Sequence, residues 1–437
     1  MDAAALPPVA PAGAADVGWM LVATALVLLM TPGLAFFYGG LVRAKNALNT
    51  MMMTLGAFTA GAVAWIAAGY SLAYGEGGAW LGGFAHLGMA GVGLEARGTI
   101  PHLLFFAYQT TFAGITVALV SGALVERLRF GPWLAFSALW TLVVYAPVCH
   151  WVWGGGWLAD LGALDFAGGA VVHVNAGAAA AVAALVVGPR RDWGRQALLP
   201  HSVPLVLLGA GLLWFGWFGF NAGSALAANG SATVAFANTL LAPIATLAAW
   251  MTLDGLRSGR ITAVGAATAV VVGLVAVTPA AGFVSPRAAL VLGALAALPS
   301  YFALLVRARS RLDDSLDVVA AHGLGGLSGA LLTGVLASAA WGGTPGLLEG
   351  NPGLVARQAA AVAATAAWSA FGTWGILRLV RSRVPLAVDA RLQSRGLDVV
   401  LHGEEAYGTG EGAILVFAPP AEPLATAPAL APQRLHA

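Results

Sequence analysis

Apolar runs of roughly 20 residues recur along nearly the whole chain, closed by charges or by Gly, Pro or Asn, and that length matches the hydrocarbon thickness of a bilayer. Eleven such runs centre near Thr31, Gly61, Thr116, Leu139, Ala178, Leu212, Ala242, Val271, Leu298, Gly329 and Ala367. In lipid every backbone N–H and C=O needs a partner within the protein, so runs of this length read as helices. Of the 437 residues, 59% are hydrophobic and 9% charged, which leaves too little polar surface to cover the core of a soluble chain. The expected fold class is an all-α polytopic membrane protein with eleven transmembrane helices. Gly and Ala crowd the stretches Ala176 to Ala184 and Gly323 to Gly329, which lets helices approach closely and predicts a tight bundle with few large voids.

An odd number of spans puts the termini on opposite sides, and the basic residues choose the orientation. With the N-terminus outside, seventeen basic residues, Arg43, Arg127, Arg190 and Arg307 among them, fall on the inner side, and only Arg97, Arg287 and Arg357 fall on the outer side. This bias predicts N-out, C-in. A net charge of +2 implies neither a nucleic-acid partner nor an acidic substrate. The single cysteine, Cys149, excludes an intrachain disulfide and reads as a packing residue. Met1 to Asp16 has no basic segment ahead of the first apolar run and does not read as a cleaved signal peptide. The chain divides into a membrane domain over 1–383, a cytoplasmic segment over 384–410, and a tail over 411–437 that is too poor in periodic apolar residues to fold alone.

Function has to come from polar groups placed where lipid would not ask for them. His173 and His322 each lie in an apolar stretch without an acid, Lys or Arg, where a side chain that can carry a proton is costly. Either one alone could be a core histidine bonded to nearby backbone, but two in one uncharged setting point to a pathway. Asp165 precedes His173 by eight residues, and its simplest role is to cap the start of that helix. Asp317, at the start of the tenth span and ahead of His322, repeats the theme. That correspondence predicts two inverted five-helix repeats, spans one to five and six to ten, with the site at their interface and an eleventh helix outside them. Trp151, Trp153 and Trp157 flank a glycine run at an outer helix end. Most of them fit an interfacial aromatic belt, while one facing inward would form a cation–π wall worth about 0.5–2 kcal/mol for a small cation. His86, His102, His150 and His201 read as residues that reach water, His402 belongs to the cytoplasmic segment, and His436 to the tail. No His, Cys and Glu grouping has metal-ligand spacing, so neither a metal, a cofactor nor an enzyme is expected.

Four strings, taken in order, resemble the ammonium transporter family of Amt, Mep and Rh proteins: Thr31 to Gly40, Asp165 to His173, Gly216 to Ser224, and Asp313 to Gly323. The resemblance covers nearly the whole chain and implies a bacterial Amt-type homotrimer of the inner membrane, with one pore per subunit, taking up ammonium and methylammonium as nitrogen sources. It implies that Phe112, Trp153 and Ser224 form an outer ammonium-binding site and that Phe112 and Phe220 stack as a gate below it. It implies a twin-histidine pore of His173 and His322, lined further by Leu34 and Val318, with Asp165 as a structural acid. Asp398, His402, Gly403 and Glu404 match the family's regulatory tail, which in its trimers packs under the neighbouring subunit. In bacterial relatives this inner face also receives a trimeric P-II signalling protein.

Elementary electrostatics fits that implication. A bare cation crossing an apolar tube would meet a large desolvation penalty, and no acid lies deep in any span to offset it. Ammonium can shed a proton and continue as a small neutral molecule, whereas potassium cannot. The sequence leaves open whether the proton crosses. It also leaves open an ammonium sensor signalling through the tail and a neutral gas channel of the Rh type.

Overall fold

A computed structural model of the chain describes residues 13–307 and 309–408. The 411–437 segment, His436 and the residues before 13 lie outside the described residues. Eleven helices long and apolar enough to cross a membrane stand where the hydropathy places them. They are α1 (Ala14–Leu41), α2 (Ala44–Tyr74), α3 (His102–Ala123), α4 (Phe130–Asp160), α5 (Gly169–Val187), α6 (Val203–Gly223), α7 (Gly230–Ser258), α8 (Ala263–Ala280), α9 (Pro286–Arg307), α10 (Val319–Leu336) and α11 (Gly353–Arg381). A short helix, α12 (Ala390–Arg395), follows in the C-terminal segment. The buried hydroxyls of Thr116, Thr141 and Thr239 bond back to the carbonyl four residues earlier, so these three sit in the bundle without an unpaired donor.

Two features of the bundle position the histidines. Helices α5 and α10 both open with a wide π turn, Gly169–Val174 and Val319–Leu324, and each turn carries its histidine. The two helices then cross where glycine faces glycine. A Cβ added to Gly177 would stand 2.3 Å from the Cα of Gly323, so any side chain there would force the helices apart. Since Gly177 lies one turn beyond His173 and Gly323 adjoins His322, the crossing sets the separation of the two imidazoles.

The helix ends nearest Arg127 carry a buried ion network. Arg190 reaches Asp313 at 2.7 Å and Glu126 at 2.8 Å, and Arg43 joins Glu126 at 2.8 Å and Asp192 at 2.8 Å. Arg127 is anchored by the carbonyls of Ala123 and Asp313 and by the Ser315 hydroxyl. Burial lowers the Arg127 guanidinium to about 10, with Asp313 opposing the shift. The network ties the α3–α4 and α5–α6 loops to the loop before α10.

The 384–408 segment folds back onto this same face of its own chain. Val388 donates to Arg127 O at 2.8 Å and Arg129 donates to Leu386 O at 2.9 Å. The buried Asp398 carboxylate accepts the N–H groups of Leu48 and Asn49 at 3.1 and 2.7 Å and thereby caps the start of α2. His402 meets Asn49 at 3.0 Å, Gly403 takes a left-handed turn (φ 69°), and Glu404 is exposed.

Two expectations need correction. The counterpart of Asp165 is Asp314, not Asp317. The Asp314 carboxylate accepts the N–H of Val319 at 2.7 Å, eight residues before His322 as Asp165 is before His173. Asp317 instead points to Arg307, from a left-handed backbone (φ 62°). His150 and His102 do not reach water, being 2% and 6% exposed. His150 is held between Ala73 O and Gly78 O at 2.8 and 2.7 Å because the 75–83 loop folds over it. His102 is fixed by Glu95 and the Tyr70 hydroxyl.

Candidate functional site

The site is a column of aromatic and imidazole rings between α3, α5, α6 and α10. At its wide end a vestibule of about 300 Å³ is lined by Tyr74, Phe105, Gln109, Phe112, Val152, Trp153, Phe166, Ser224 and Leu226. Phe112, Trp153 and Ser224, grouped by the family resemblance, all line it. Trp153 stands edge-on to Phe112 with centroids 5.9 Å apart, and its indole N–H donates to Asp165 O at 2.9 Å. The Ser224 hydroxyl donates to Phe220 O at 2.8 Å and has the Tyr108 hydroxyl 3.3 Å away, and its oxygen, with two lone pairs, can still accept.

Below the vestibule Phe112 and Phe220 stack, with centroids 4.2 Å apart and planes 18° from parallel. Each is 1% exposed. Tyr108 holds the backbone beneath this pair: its hydroxyl lies 2.9 Å from Phe220 O and 3.0 Å from Gly219 O.

Beside the stacked pair lies a cavity of about 10 Å³, room for about one water-sized molecule. Its wall includes Leu34, Ile115, Leu119, Val172, Trp217 and Val271 with His173 and His322 as the polar groups. Val318 does not line it; that side chain is fully buried and packs over Gly122 and the Tyr38 ring. The two imidazoles stack obliquely, 5.3 Å between centroids and 24° between planes, with Nδ1 to Nδ1 at 3.2 Å. One Nδ1 must donate and the other accept, so the pair shares a single proton on that edge. His173 Nε2 has no hydrogen-bond partner among the described residues. Trp217 supports the His173 ring face to face at 5.4 Å and is itself held by the Thr278 hydroxyl.

Asp165 explains how the chain enters the π turn. Its two oxygens accept four successive N–H groups, from Gly168 (2.8 Å), Gly169 (2.5 Å), Ala170 (2.7 Å) and Val171 (3.1 Å). Gly168 precedes the turn in a left-handed conformation (φ 117°), which a side chain would strain. Burial raises the Asp165 carboxyl above its ordinary value, while the four amides favour the carboxylate and oppose the shift. The acid thus aims His173 through its side chain and Trp153 through its own carbonyl.

Sequence reasoning missed Trp217, Tyr108, Gln109 and Asp314. Trp217 lay inside the Gly216 to Ser224 string, and the eight-residue spacing from acid to histidine was the available signal for Asp314. Tyr108 and Gln109 stood out only as polar residues in the apolar third span.

Residues 18–407 match the family model described as Ammonium Transporter Family. The chain is 50% identical to an ammonium transporter of Aquifex aeolicus over 400 residues, covering 90% of this chain and 93% of that one. It is 43% identical to an ammonium transporter of Bacillus subtilis over 398 residues, 90% of this chain and 98% of the relative. Among solved structures, Mep2 of Candida albicans superposes with a TM-score of 0.81 at 36% identity, over 86% of this chain and 87% of that one. A structure titled Sensor Amt Protein superposes with a TM-score of 0.83 at 28% identity, over 88% and 98% of the two chains.

Proposed function

The chain belongs to the Ammonium Transporter Family, and from that premise we propose that it carries ammonium across a membrane by stripping a proton and passing ammonia through a hydrophobic pore. Ammonium settles in the vestibule against the faces of Trp153 and Phe112, where cation–π attraction offsets part of its lost hydration, and donates to Ser224. The stacked Phe112 and Phe220 then have to part. A bare ion gains nothing beyond them, since the cavity wall carries no charge. Ammonia does, because it can donate to or accept from an imidazole nitrogen.

The observation that carries this reading is the histidine pair: two buried imidazoles joined at 3.2 Å through Nδ1, beside an apolar cavity of one-molecule size. Such a pair offers a neutral hydrogen-bonding path and a relay for a proton. Relay of that proton through the pair makes transport electrogenic.

The remaining assignments follow the same premise. The basic helix ends carrying Arg43, Arg127 and Arg190 are cytoplasmic by the positive-inside rule, which gives N-out, C-in in a bacterial inner membrane. The membrane domain runs to residue 383, and the segment bearing Asp398, His402, Gly403 and Glu404 is regulatory. The protein works as a homotrimer, and its inner face receives a P-II signalling protein.

The test is current in proteoliposomes after pulses of ammonium, methylammonium or potassium, with His173→Ala and His322→Ala in parallel. Charge movement with the first two ions alone, and loss of that selectivity in the variants, is the expected result. Unaltered selectivity in both variants would sink the twin-histidine mechanism. No current, but a shift of internal pH, would mean neutral ammonia conduction; neither signal would mean a sensor.

A further inference from the structure

The α3 face that borders the vestibule is a stripe of three residues one turn apart, Phe105, Gln109 and Phe112. Two are aromatic, as a cation-holding wall requires. The third is an amide in a buried apolar setting, where a polar side chain is costly unless bonded. Gln109 is 6% exposed, and its carbonyl oxygen has no hydrogen-bond donor among the described residues.

An acceptor left without a donor beside a cavity that receives a cation suggests that the cation supplies the donor. Ammonium brings four N–H groups, each of which loses a water partner on entering the vestibule. Aromatic faces attract its charge but accept its hydrogens poorly. Among the other side chains lining the vestibule, the Trp153 indole only donates and is committed to Asp165 O. The Tyr74 hydroxyl is turned to Cys149, whose Sγ lies 3.4 Å from it. Ser224 Oγ is left as one acceptor and Gln109 Oε1 as the other. The rings of Tyr74 and Phe105 are engaged too, by the Arg97 guanidinium at 5.3 and 4.5 Å from their centroids. That cation holds the ammonium towards Phe112 and Trp153, one turn from Gln109.

We propose that Gln109 is a second hydrogen-bond acceptor for ammonium in the vestibule it shares with Ser224, and that it sets the affinity there. Rotation of the amide about its last torsion brings the carbonyl to the ion while the Cα stays in place. The inference rests on the ammonium-transport reading above and adds to it one binding residue.

The test uses uptake of radiolabelled methylammonium into proteoliposomes, with unlabelled ammonium as competitor, for the full chain, Gln109→Met and Gln109→Glu. Met keeps the length and shape and removes the acceptor; Glu keeps an acceptor. Loss of one hydrogen bond to a charged group predicts a rise in half-saturation of about tenfold or more for Gln109→Met, with maximal uptake retained. Gln109→Glu should return half-saturation to the wild-type value or below. The proposal is overturned if Gln109→Met keeps the wild-type half-saturation, if it loses maximal uptake alone, or if Gln109→Glu behaves as Gln109→Met. Should Gln109→Met fail to fold, the glutamate variant decides alone, since a merely structural amide would not tighten ammonium binding on gaining charge. Absence of ammonium-sensitive uptake in the unmodified protein is a different failure, that of the transport reading itself.

Discussion

Replacing Asp165 by Asn removes one charge and changes the shape hardly at all, so it separates a cap from an ion ligand. In the native chain Oδ1 accepts from Gly168 and Gly169 and Oδ2 from Ala170 and Val171. Asparagine has one accepting oxygen, which can serve two of the four donors, and its NH₂ then faces the other two N–H groups. A buried donor deprived of its acceptor costs about 1–3 kcal/mol, so two of them cost about 4 kcal/mol in all. Asp165→Ala leaves all four unserved and should be worse. Melting in detergent should fall by about 5–10 °C for Asp165→Asn and further for the alanine variant. Transport should fall in the same order, because the π turn aims His173 and the Asp165 carbonyl holds Trp153. If Asp165→Asn melts with the wild type yet no longer transports, the capping argument is wrong and the carboxylate acts on the ion directly.

Gly177→Ala should push α5 from α10 at their closest approach, at a cost of about 1–3 kcal/mol, and break the 3.2 Å contact between the imidazoles. The check is methylammonium uptake beside thermal stability, and a variant with normal uptake would show that the crossing does not set the pore. Burial pushes the Asp317 carboxyl up to about 7, with Arg307 opposing the shift, so between about pH 4 and 7 the folded chain holds a proton that the unfolded chain has released. Stability from this group is therefore present at low pH and lost as pH rises through that window. Asp317→Asn should flatten the fall in melting temperature between about pH 4 and 7; an unchanged slope would assign the fall to other groups.

Some of this architecture is written in local sequence. The eleven helices need only the length of each apolar run, because the bilayer fixes what a spanning element must be. The Asp165 cap is equally local, since its four donors lie three to six residues along the chain. The meeting of Phe112, Trp153, Ser224, His173 and His322 became legible through family resemblance, which carries tertiary information that periodicity lacks.

What the sequence by itself determined is thus whatever depends on neighbours along the chain: the spans, the caps, and the scarcity of charge within the membrane. Only the tertiary structure decided which of Asp314 and Asp317 caps its helix and which meets Arg307, because both stand within reach of the same turn. It decided that His150 is enclosed, since the 75–83 loop that covers it comes from another part of the chain. It also decided that Gln109 faces a cavity instead of a packed neighbour, and that Gly177 meets Gly323. Each of these depends on which groups meet across helices far apart in sequence, and hydrophobicity, which has no direction, specifies that a face is buried without specifying against what.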